Sequence, residues 1–383
     1  MRALTKFSLL VSTTLVAAPL STLAADPEVA TSGYVEMYYQ WNLGNPSNGL
    51  TNWRGFDNRH NSFTLDAVAL TTTWQDDGFT GTLGLQYGAT PRTYYATEPA
   101  LAGAGGASAT GADVWQYVQQ ANVAYRLPQQ PKLELAAGLF LSPIGPEGIA
   151  VRDNWNFSRS NLFFGLPFYH TGARAKLAVS DRLSITAAGY NGYNSVVDNN
   201  DAKSVSLQFS YAVPEQLTAS VLYFGGVERS EGAPEGSPWR HLIDAHATWH
   251  VTPALSLLAH VDVGVEQTKF GRSHWEAAAL YARYKLSSEL MVAARGDIFR
   301  ETAAKNDDGQ AGAIFFPTTQ IASATGTLSY QPTTHALVQL EIRHDRADDD
   351  LFFSGDVALT PEGNAIANAS DQSTISVGVT AWF

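Results

Sequence analysis

The strongest constraint on the fold is a repeat of segments, each about 10 to 13 residues long, in which apolar residues alternate with polar or small ones. Residues 372–383 show the pattern most clearly, because one face carries Ile, Val, Ala and Phe and the other carries Thr, Ser and Gly. Alternation with period 2 is typical of a β-strand that has apolar surroundings on one side and water on the other. The chain is therefore expected to be all-β, and no stretch of it is convincing as an amphipathic helix.

About sixteen candidate strands can be placed along the chain. An even number is what a bacterial single-chain membrane barrel requires. The candidate strands are 33–43, 62–75, 79–90, 114–127, 132–142, 168–179, 182–194, 203–213, 216–226, 239–251, 255–267, 273–286, 289–301, 319–331, 335–346 and 372–383. This set predicts a transmembrane antiparallel β-barrel.

The connections between the candidate strands alternate between short and long. The short ones carry Asp, Gly, Pro or Ser, residues typical of tight turns, and all of them follow even-numbered strands. The long ones follow odd-numbered strands and include 44–61, 91–113, 142–167, 302–318 and 347–371. Outer-membrane barrels have short periplasmic turns and long extracellular loops, so both ends of the barrel sequence are expected on the periplasmic side.

The N-terminal sequence is typical of a secretory signal peptide. Arg2 and Lys6 precede an apolar run, residues 7–20, and the small residues Thr22 and Ala24 follow it. A run of about 14 apolar residues is too short to cross a bilayer as a helix, which takes about 20. We therefore interpret residues 1–24 as a signal peptide and residues 25–383 as a barrel, since only helices and closed barrels span membranes.

The composition excludes several classes of function. The formal net charge is −12, and loss of residues 1–24, which hold two basic residues, would make it −14. An acidic chain of this kind is a poor ligand for nucleic acid. Cysteine is absent, which excludes a disulfide framework and thiolate chemistry. No cofactor motif is present, so no cofactor is expected.

Aromatic residues on the apolar faces sort by strand parity into two sets. Trp and Tyr prefer the two water–lipid interfaces, so two such belts are expected in a barrel. The periplasmic set is Tyr125, Tyr211, Trp249, Tyr284, Tyr330 and Phe383. The opposite set is Tyr39, Trp41, Tyr87, Trp115, Tyr169 and Tyr223. The second strand is the weakest assignment, because neither of its faces is cleanly apolar.

The other face of each candidate strand nominates the residues that line the interior. These residues are polar, small or charged, and a barrel of about sixteen strands is too wide for them to fill. A water-filled channel is the expected consequence. The inward positions include His170, Arg174, Lys176, Arg295, Asp297, Glu341, Arg343 and Asp345. Inward cations and inward acids compete, so the sequence leaves open whether anions or cations are preferred.

The third long connection, residues 142–167 and hereafter the third loop, is the most informative one. Its aromatic residues favour packing over exposure to water. General porins fold the loop at this position into the channel as a constriction. In that arrangement Arg152, Asp153 and Arg159 would place charge at the narrowest point, opposite Arg174 and Lys176, and set the ion preference. The alternative is that the loop charges pair among themselves and fix the loop.

Several runs resemble the β-barrel porin-2 (OmpL-like) family. They are 138–140, 143–147, 153–160, 167–172, and 33–42 with Phe56, Asp57 and Phe63. The resemblance implies an outer-membrane porin with no catalytic residues to carry over. The final segment is also similar to the terminal strand of Gram-negative outer-membrane barrels, whose last Phe is read by the assembly machinery.

A turn at Thr252 and Pro253 predicts the register of the two strands that it joins. That register sets His246 opposite His260 and Asp244 opposite Asp262 on one inner wall. Two imidazoles and two carboxylates are ligands for a divalent cation. A hydrated polar lining explains the same residues, and the sequence favours that interpretation, so no metal is expected.

The sequence predicts passive diffusion of small hydrophilic solutes or ions across the outer membrane of a Gram-negative bacterium. The expected partners are lipid, lipopolysaccharide, the barrel assembly machinery and small polar solutes, with a homotrimer as an option. A substrate-specific channel and an adhesion or structural barrel are alternatives. An outer-membrane enzyme is disfavoured, because no Gly-x-Ser-x-Gly elbow is present, although His344 could pair with an outward Ser.

Overall fold

Sixteen antiparallel strands close into a single barrel in the computed structural model, which describes residues 28–100, 111–128 and 132–383. Each strand pairs with its neighbours in sequence, and β1 pairs with β16 to close the sheet. The predicted fold class is confirmed. The predicted signal peptide, residues 1–24, lies outside the described residues.

The strand bounds lie within a few residues of those predicted, apart from longer differences at the ends of β1, β4 and β7. The first eight strands are β1 Glu28–Asn42, β2 Ser62–Asp76, β3 Phe79–Gly88, β4 Val118–Arg126, β5 Leu133–Leu141, β6 Tyr169–Ala178, β7 Leu183–Tyr190 and β8 Ser204–Val213. The remaining eight are β9 Leu217–Val227, β10 Trp239–His250, β11 Leu255–Thr268, β12 Gly271–Lys285, β13 Leu290–Thr302, β14 Gln320–Thr333, β15 Ala336–Ala347 and β16 Asp371–Trp382.

Within the described residues, three short helices interrupt the loops: α1 Thr90–Tyr94, α2 Ala112–Trp115 and α3 Asn161–Phe164. A 3-10 turn covers Val151–Asp153. None of the helices in the described ranges is long and apolar enough to cross a membrane.

The barrel follows from the alternation of the sequence. Outward apolar side chains such as Leu280 and Ile342 are largely exposed on the outer face, while their neighbours in sequence point inward and are buried. The closed ladder pairs the backbone N–H and C=O groups of neighbouring strands and leaves no free sheet edge. An apolar outer face with satisfied backbone groups is what a lipid bilayer requires.

A β-bulge explains why β2 was the least certain strand in the sequence. The register with β1 shifts between Leu65 and Ala67, so Asp66 is an extra residue in β2. Phe63 and Leu65 face outward before the bulge, and Val68 and Leu70 face outward after it. The apolar positions therefore change parity within the strand, and Asp66 is left with a fully buried side chain.

Most of the predicted interface aromatics lie where parity places them. Tyr211, Trp249, Tyr284, Tyr330 and Phe383 are exposed on the outer face. Tyr125 is partly covered, because the ring of Phe79 packs against it at 4.3 Å between centroids. The opposite set departs from expectation at two positions: Trp115 lies in α2 and Tyr169 is fully buried.

Residues 94–98, in the first part of the second loop (89–117), bury Tyr169. The rings of Tyr94 and Tyr95 lie 5.0 and 4.6 Å from the ring of Tyr169, measured between centroids. Glu98 accepts a hydrogen bond from the Tyr169 hydroxyl at 2.6 Å and one from the backbone N–H of Val196 at 2.9 Å. Val196 belongs to the fourth loop, residues 191–203, so Glu98 joins the two loops above the barrel mouth.

The docking of these two loops is expected to depend on pH. Burial raises the pKa of Glu98, against the opposing effect of its hydrogen bonds. The docked state therefore holds the proton more tightly than the undocked state. Docking is most favourable below the ordinary pKa of Glu, about 4.3, and weakens as the pH rises through the raised pKa. The docking equilibrium constant falls in total by about tenfold for each unit by which the pKa is raised. Hydrogen exchange at Val196, corrected for intrinsic rates, should be less protected at neutral than at acidic pH.

A Glu98→Gln variant cannot ionise and should lose this pH dependence. The control is Glu362→Gln, which changes an exposed carboxylate in the last loop and should behave as wild type. Retention of the full pH effect in Glu98→Gln would contradict the assignment to Glu98.

Candidate channel lining and constriction loop

The third loop, which connects β5 to β6, folds into the barrel and binds to the inner wall. Its first part turns at Gly145, whose φ of +80° is readily adopted only by glycine. Ser160 caps α3, because its side-chain oxygen accepts a hydrogen bond from the backbone N–H of Phe163. These local features give the loop a defined shape before it meets the wall.

Three buried wall carboxylates bind backbone N–H groups of the third loop. Glu36 on β1 accepts from Val151 at 2.7 Å. Glu341 on β15 accepts from Phe157 at 2.7 Å and from Ser158 at 3.0 Å. Asp297 on β13 accepts from Asn161 at 3.0 Å. Charge-assisted bonds of this kind are the strong class of hydrogen bond, so the loop is attached to one side of the barrel.

Two buried wall arginines bind carbonyl groups of the same loop. Arg295 on β13 donates to the carbonyl of Ser158 at 2.6 Å, and Arg343 on β15 donates to the carbonyl of Arg159 at 2.5 Å. Asp297 and Asp345 balance these two cations across 3.1 and 2.7 Å. The wall therefore provides both donors and acceptors for the loop backbone.

An aromatic side chain completes the contact. The ring of Phe157 is fully buried and lies directly over Gly378 on β16, where a Cβ atom would overlap it. The glycine thus provides a recess for the ring.

The structure changes the role expected for Arg159. Its side chain is only 2% exposed, and it donates to the loop carbonyls of Gly148, Ile149 and Phe157 while its guanidinium lies over the ring of Phe56. Arg159 therefore fixes the loop and does not present its charge to open space. The same correction applies to Arg295 and Arg343, which are buried between the wall and the loop.

Arg152 and Asp153 do border open space. Their side chains are 26% and 63% exposed, and their closest charged atoms are 3.9 Å apart. The guanidinium of Arg152 lies 5.4 Å above the ring of Tyr34. Both residues line a cavity of about 300 Å³ between the third loop and the β1–β4 side of the wall, to which Gln119 and Gln120 also contribute.

The two sides of the lumen differ in their access to solvent. Inward residues on the loop-covered side, β13 to β1, are buried: Asp297, Thr325, Thr327, Glu341, Arg343, Thr374, Ser376, Glu36 and Gln40. Many inward residues on β2 to β8 remain partly exposed, whereas Gln86, His170, Ser204 and Ser206 are buried. The partly exposed residues are Thr71, Thr73, Thr80, Thr82, Gln120, Asn122, Arg174, Ser184, Thr186, Gln208 and Ser210. The open part of the lumen is therefore bordered by β2 to β8.

Apolar side chains fill part of the interior, which the expectation of a wholly water-filled lumen missed. Leu222, Phe224, Leu242 and Trp275 point inward and pack in one buried cluster that includes Leu162 of the third loop. The alternation of each strand already places these four apolar residues on the inner face. Inward apolar residues on neighbouring strands are a sequence signal that could have predicted a packed region. The loop thus rests on a hydrophobic base as well as on hydrogen bonds.

Three basic wall residues keep access to solvent, two of them on β6 at the open side and one on β12 outside it. Arg174 is partly exposed, with its guanidinium 4.3 Å from the ring centroid of Phe140, and Lys176 is exposed. Arg283 on β12 is partly exposed, 4.6 Å from the ring centroid of Trp155.

The predicted register of β10 and β11 is the one observed. His246 pairs with His260, and Asp244 pairs with Asp262. The four side chains meet on the inner wall, where Asp244, His260 and Asp262 are buried and His246 is partly exposed.

An outward Ser–His pair exists at the position raised by the sequence. The Nδ1 atom of His344 lies 2.9 Å from the Oγ atom of Ser373, and both residues are on the outer face of the barrel. Among the described residues, no third side chain hydrogen-bonds to His344 to orient it as a catalytic base.

Solved outer-membrane proteins share this architecture. They include an anion-selective porin from Comamonas acidovorans, with 12% identity, a TM-score of 0.58, and coverage of 94% of this chain and 100% of that chain. The outer membrane channel DcaP of Acinetobacter baumannii has 10% identity, a TM-score of 0.55 and coverage of 95% and 100%. The trimer form of OmpT, an outer membrane protein of Vibrio cholerae, has 9% identity, a TM-score of 0.58 and coverage of 93% and 99%. Likeness at such identities describes the fold. No match was found among curated protein sequences.

The closed barrel, its polar inner wall and its folded-in third loop define a passive channel of the Gram-negative outer membrane, that is, a porin. The chain belongs to the family described as "Putative beta-barrel porin-2, OmpL-like", which it matches over residues 28–383.

Proposed function

We propose that this porin conducts small hydrophilic solutes along the side of the lumen that the third loop leaves open, and that it prefers anions. The observation that carries the proposal is that four inward acids are buried, whereas four basic side chains other than the buried Arg295 and Arg343 keep access to solvent. Glu36, Asp297, Glu341 and Asp345 are at most 5% exposed and are engaged with the third loop or with buried arginines. Arg152, Arg174, Lys176 and Arg283 keep access to solvent.

Two of the accessible acids in the lumen are paired with bases. Glu134 lies 3.6 Å from Arg126, and Asp153 lies 3.9 Å from Arg152. In water, a unit charge changes the energy of an ion about 7 Å away by about 0.6 kcal/mol. This energy corresponds to roughly a threefold change in the local concentration of that ion. Several unpaired cations along the path are therefore sufficient to enrich anions, and fixed charge near a narrow passage sets ion preference.

The test is the reversal potential across a KCl gradient in planar bilayers. Wild type should prefer chloride. Arg174→Gln and Lys176→Gln should each lower the chloride-to-potassium permeability ratio by about sevenfold, because the lost charge acts on the two ions in opposite directions with about 0.6 kcal/mol each. Arg152→Gln should act in the same direction. The matched control is Arg300→Gln, which removes an outward arginine on the outer face of β13 and should leave the ratio unchanged.

A cation preference in wild type would overturn the assignment of anion preference. Equal ratios in wild type and the Arg174/Lys176 double variant would show that these residues do not border the path. Arg159→Gln is not a selectivity test, because this side chain holds the loop.

We also propose that the protein is not an enzyme. The Ser373–His344 pair is a cross-strand polar contact with neither an orienting acid in the described residues nor a Gly-x-Ser-x-Gly elbow. The same bilayer recordings separate the two functions, because a closed enzymatic barrel would give no ion-conducting steps.

For partners, we propose contact with outer-membrane lipid and lipopolysaccharide, assembly through the strand that ends at Phe383, and a homotrimer. The outward aromatic side chains support lipid contact, and the trimer form of the similarly folded Vibrio cholerae protein supports the oligomer. The molecular mass of the detergent-solubilised protein, measured by sedimentation, tests the trimer.

A further inference from the structure

A cluster of four metal-ligand side chains lies where β10 and β11 pair on the inner wall. Asp244 and His246 come from β10, and His260 and Asp262 come from β11, in directly opposed pairs. Two imidazoles and two carboxylates are among the ligands that Zn²⁺ and neighbouring transition metals prefer. These residues lie on strands outside the open side of the lumen.

The potential ligand atoms converge. The Nε2 atom of His260 lies 2.6 Å from Oδ2 of Asp244 and 3.2 Å from Oδ1 of Asp262. The Nδ1 atom of His246 lies 3.2 Å from Oδ1 of Asp244. Ligands of a tetrahedral ion at about 2.0–2.1 Å are about 3.4 Å apart. Asp244, His260 and Asp262 each offer an atom within 4.8 Å of the others, so a small movement of side chains would give that spacing.

The carboxylate of Asp262 is buried with few polar contacts. The residue is 1% exposed, and among the described residues neither of its oxygen atoms has a hydrogen-bond partner, although Oδ1 lies 3.2 Å from Nε2 of His260. One N–H group on His260 Nε2 cannot serve both carboxylates, and the shorter contact is to Asp244. The nearest arginine in register, Arg240, is engaged by Glu266 at 2.6 Å. A buried carboxylate left in this state is costly.

The burial also removes the simpler explanation of the cluster. A hydrated polar lining requires that water reach the carboxylates, yet Asp244 is 0% exposed and His260 is 1% exposed. The first part of the third loop covers them: a Cβ atom at Gly145 would lie 3.5 Å from Cε1 of His260. Only His246, with a side chain that is 16% exposed, keeps contact with solvent and offers a route of entry.

We propose that Asp244, His246, His260 and Asp262 form a binding site for one divalent transition-metal ion, of the class of Zn²⁺. The ion compensates the two buried carboxylates and lies beneath the first part of the third loop. The site is distinct from the open side of the lumen, so the metal is a resident ion of the wall.

The test uses the full-length detergent-solubilised protein, without an added histidine tag, after treatment with EDTA. Titration calorimetry with ZnCl₂ should give one ion per chain. His260→Ala and the isosteric Asp262→Asn should weaken that binding at least about 100-fold, since loss of even an outer-shell partner costs about 10- to 100-fold. Titration with CoCl₂ gives a second readout, because tetrahedral Co²⁺ absorbs strongly in the visible range.

The matched control is His250→Ala. His250 lies on the same strand and the same inner face, but its Nδ1 atom is 2.8 Å from Oγ of Ser256, outside the cluster. This variant should bind as wild type. Zn²⁺ should also raise the unfolding temperature of wild type and His250→Ala but not of Asp262→Asn. Absence of stoichiometric binding in wild type, or undiminished binding in both cluster variants, would overturn the proposal.

Discussion

Replacement of Arg295 by Met is expected to release the third loop and raise the single-channel conductance. The Arg295 guanidinium donates to the carbonyls of Ser158 and Arg159 and pairs with Asp297 and Glu147 at 3.1 and 3.2 Å. The variant would leave two buried carboxylates without their cation, and removal of one partner of a buried pair costs about 3–5 kcal/mol. The barrel itself should persist, because its strands are held by the backbone ladder.

Two measurements check the release of the loop. Conductance in planar bilayers should increase with added open-channel noise, and trypsin should cut after Arg159, which is almost fully buried in the attached loop. Arg300→Met, on the outer face of the same strand, should show neither change. An intact loop and wild-type conductance in Arg295→Met would mean that the carboxylates and Arg343 hold the loop without it.

Truncation of Phe157 to Ala should have an effect of similar size by a different mechanism. The ring is fully buried in the recess above Gly378, and loss of a buried Phe costs about 3–5 kcal/mol. Gly378→Val should also detach the loop, because the new side chain would occupy the space of the ring. In the Phe157→Ala/Gly378→Val double variant, the valine should destabilise the attached loop less than it does in the single variant, because the ring that it would displace is absent.

The two single variants and the double variant form a double-mutant cycle. The quantity compared is the free energy of loop release, with tryptic cleavage and conductance as its readouts. The control is Gly296→Ala on β13, where a Cβ atom meets nothing within 4 Å. Additive effects of Phe157→Ala and Gly378→Val would show that the ring and the recess are not in contact.

Most of the barrel can be predicted from the sequence, because lipid outside and polar groups inside force alternation on every strand. The exceptions have local causes. The bulge at Asp66 exchanges the two faces of β2, and Tyr169 has outward parity but is covered by a loop from elsewhere in the chain. Parity describes a strand and its two faces; it contains no information about a loop that folds over one of them.

The candidate site was predictable in its location but not in the roles of its charges. The sequence places Arg152 and Arg159 in one loop, and nothing in the residue types indicates that one borders open space while the other binds three loop carbonyls. The buried acids were equally ambiguous, since Glu341 has the same parity whether it meets water or the N–H of Phe157. The register of β10 and β11 was accessible, because a tight turn fixes the pairing of the strands that it joins.

The attachment of the third loop also dictates an order of events during folding. The loop precedes most of its wall partners in the sequence: 136 residues separate Asn161 from Asp297, and 184 separate Phe157 from Glu341. Contacts of such sequence separation form late, because the intervening chain must be in place first. A nascent barrel that still lacks β13 to β16 would hold a loop without its hydrogen bonds to those strands, so the pore acquires its final width only after the last quarter of the chain has joined the sheet.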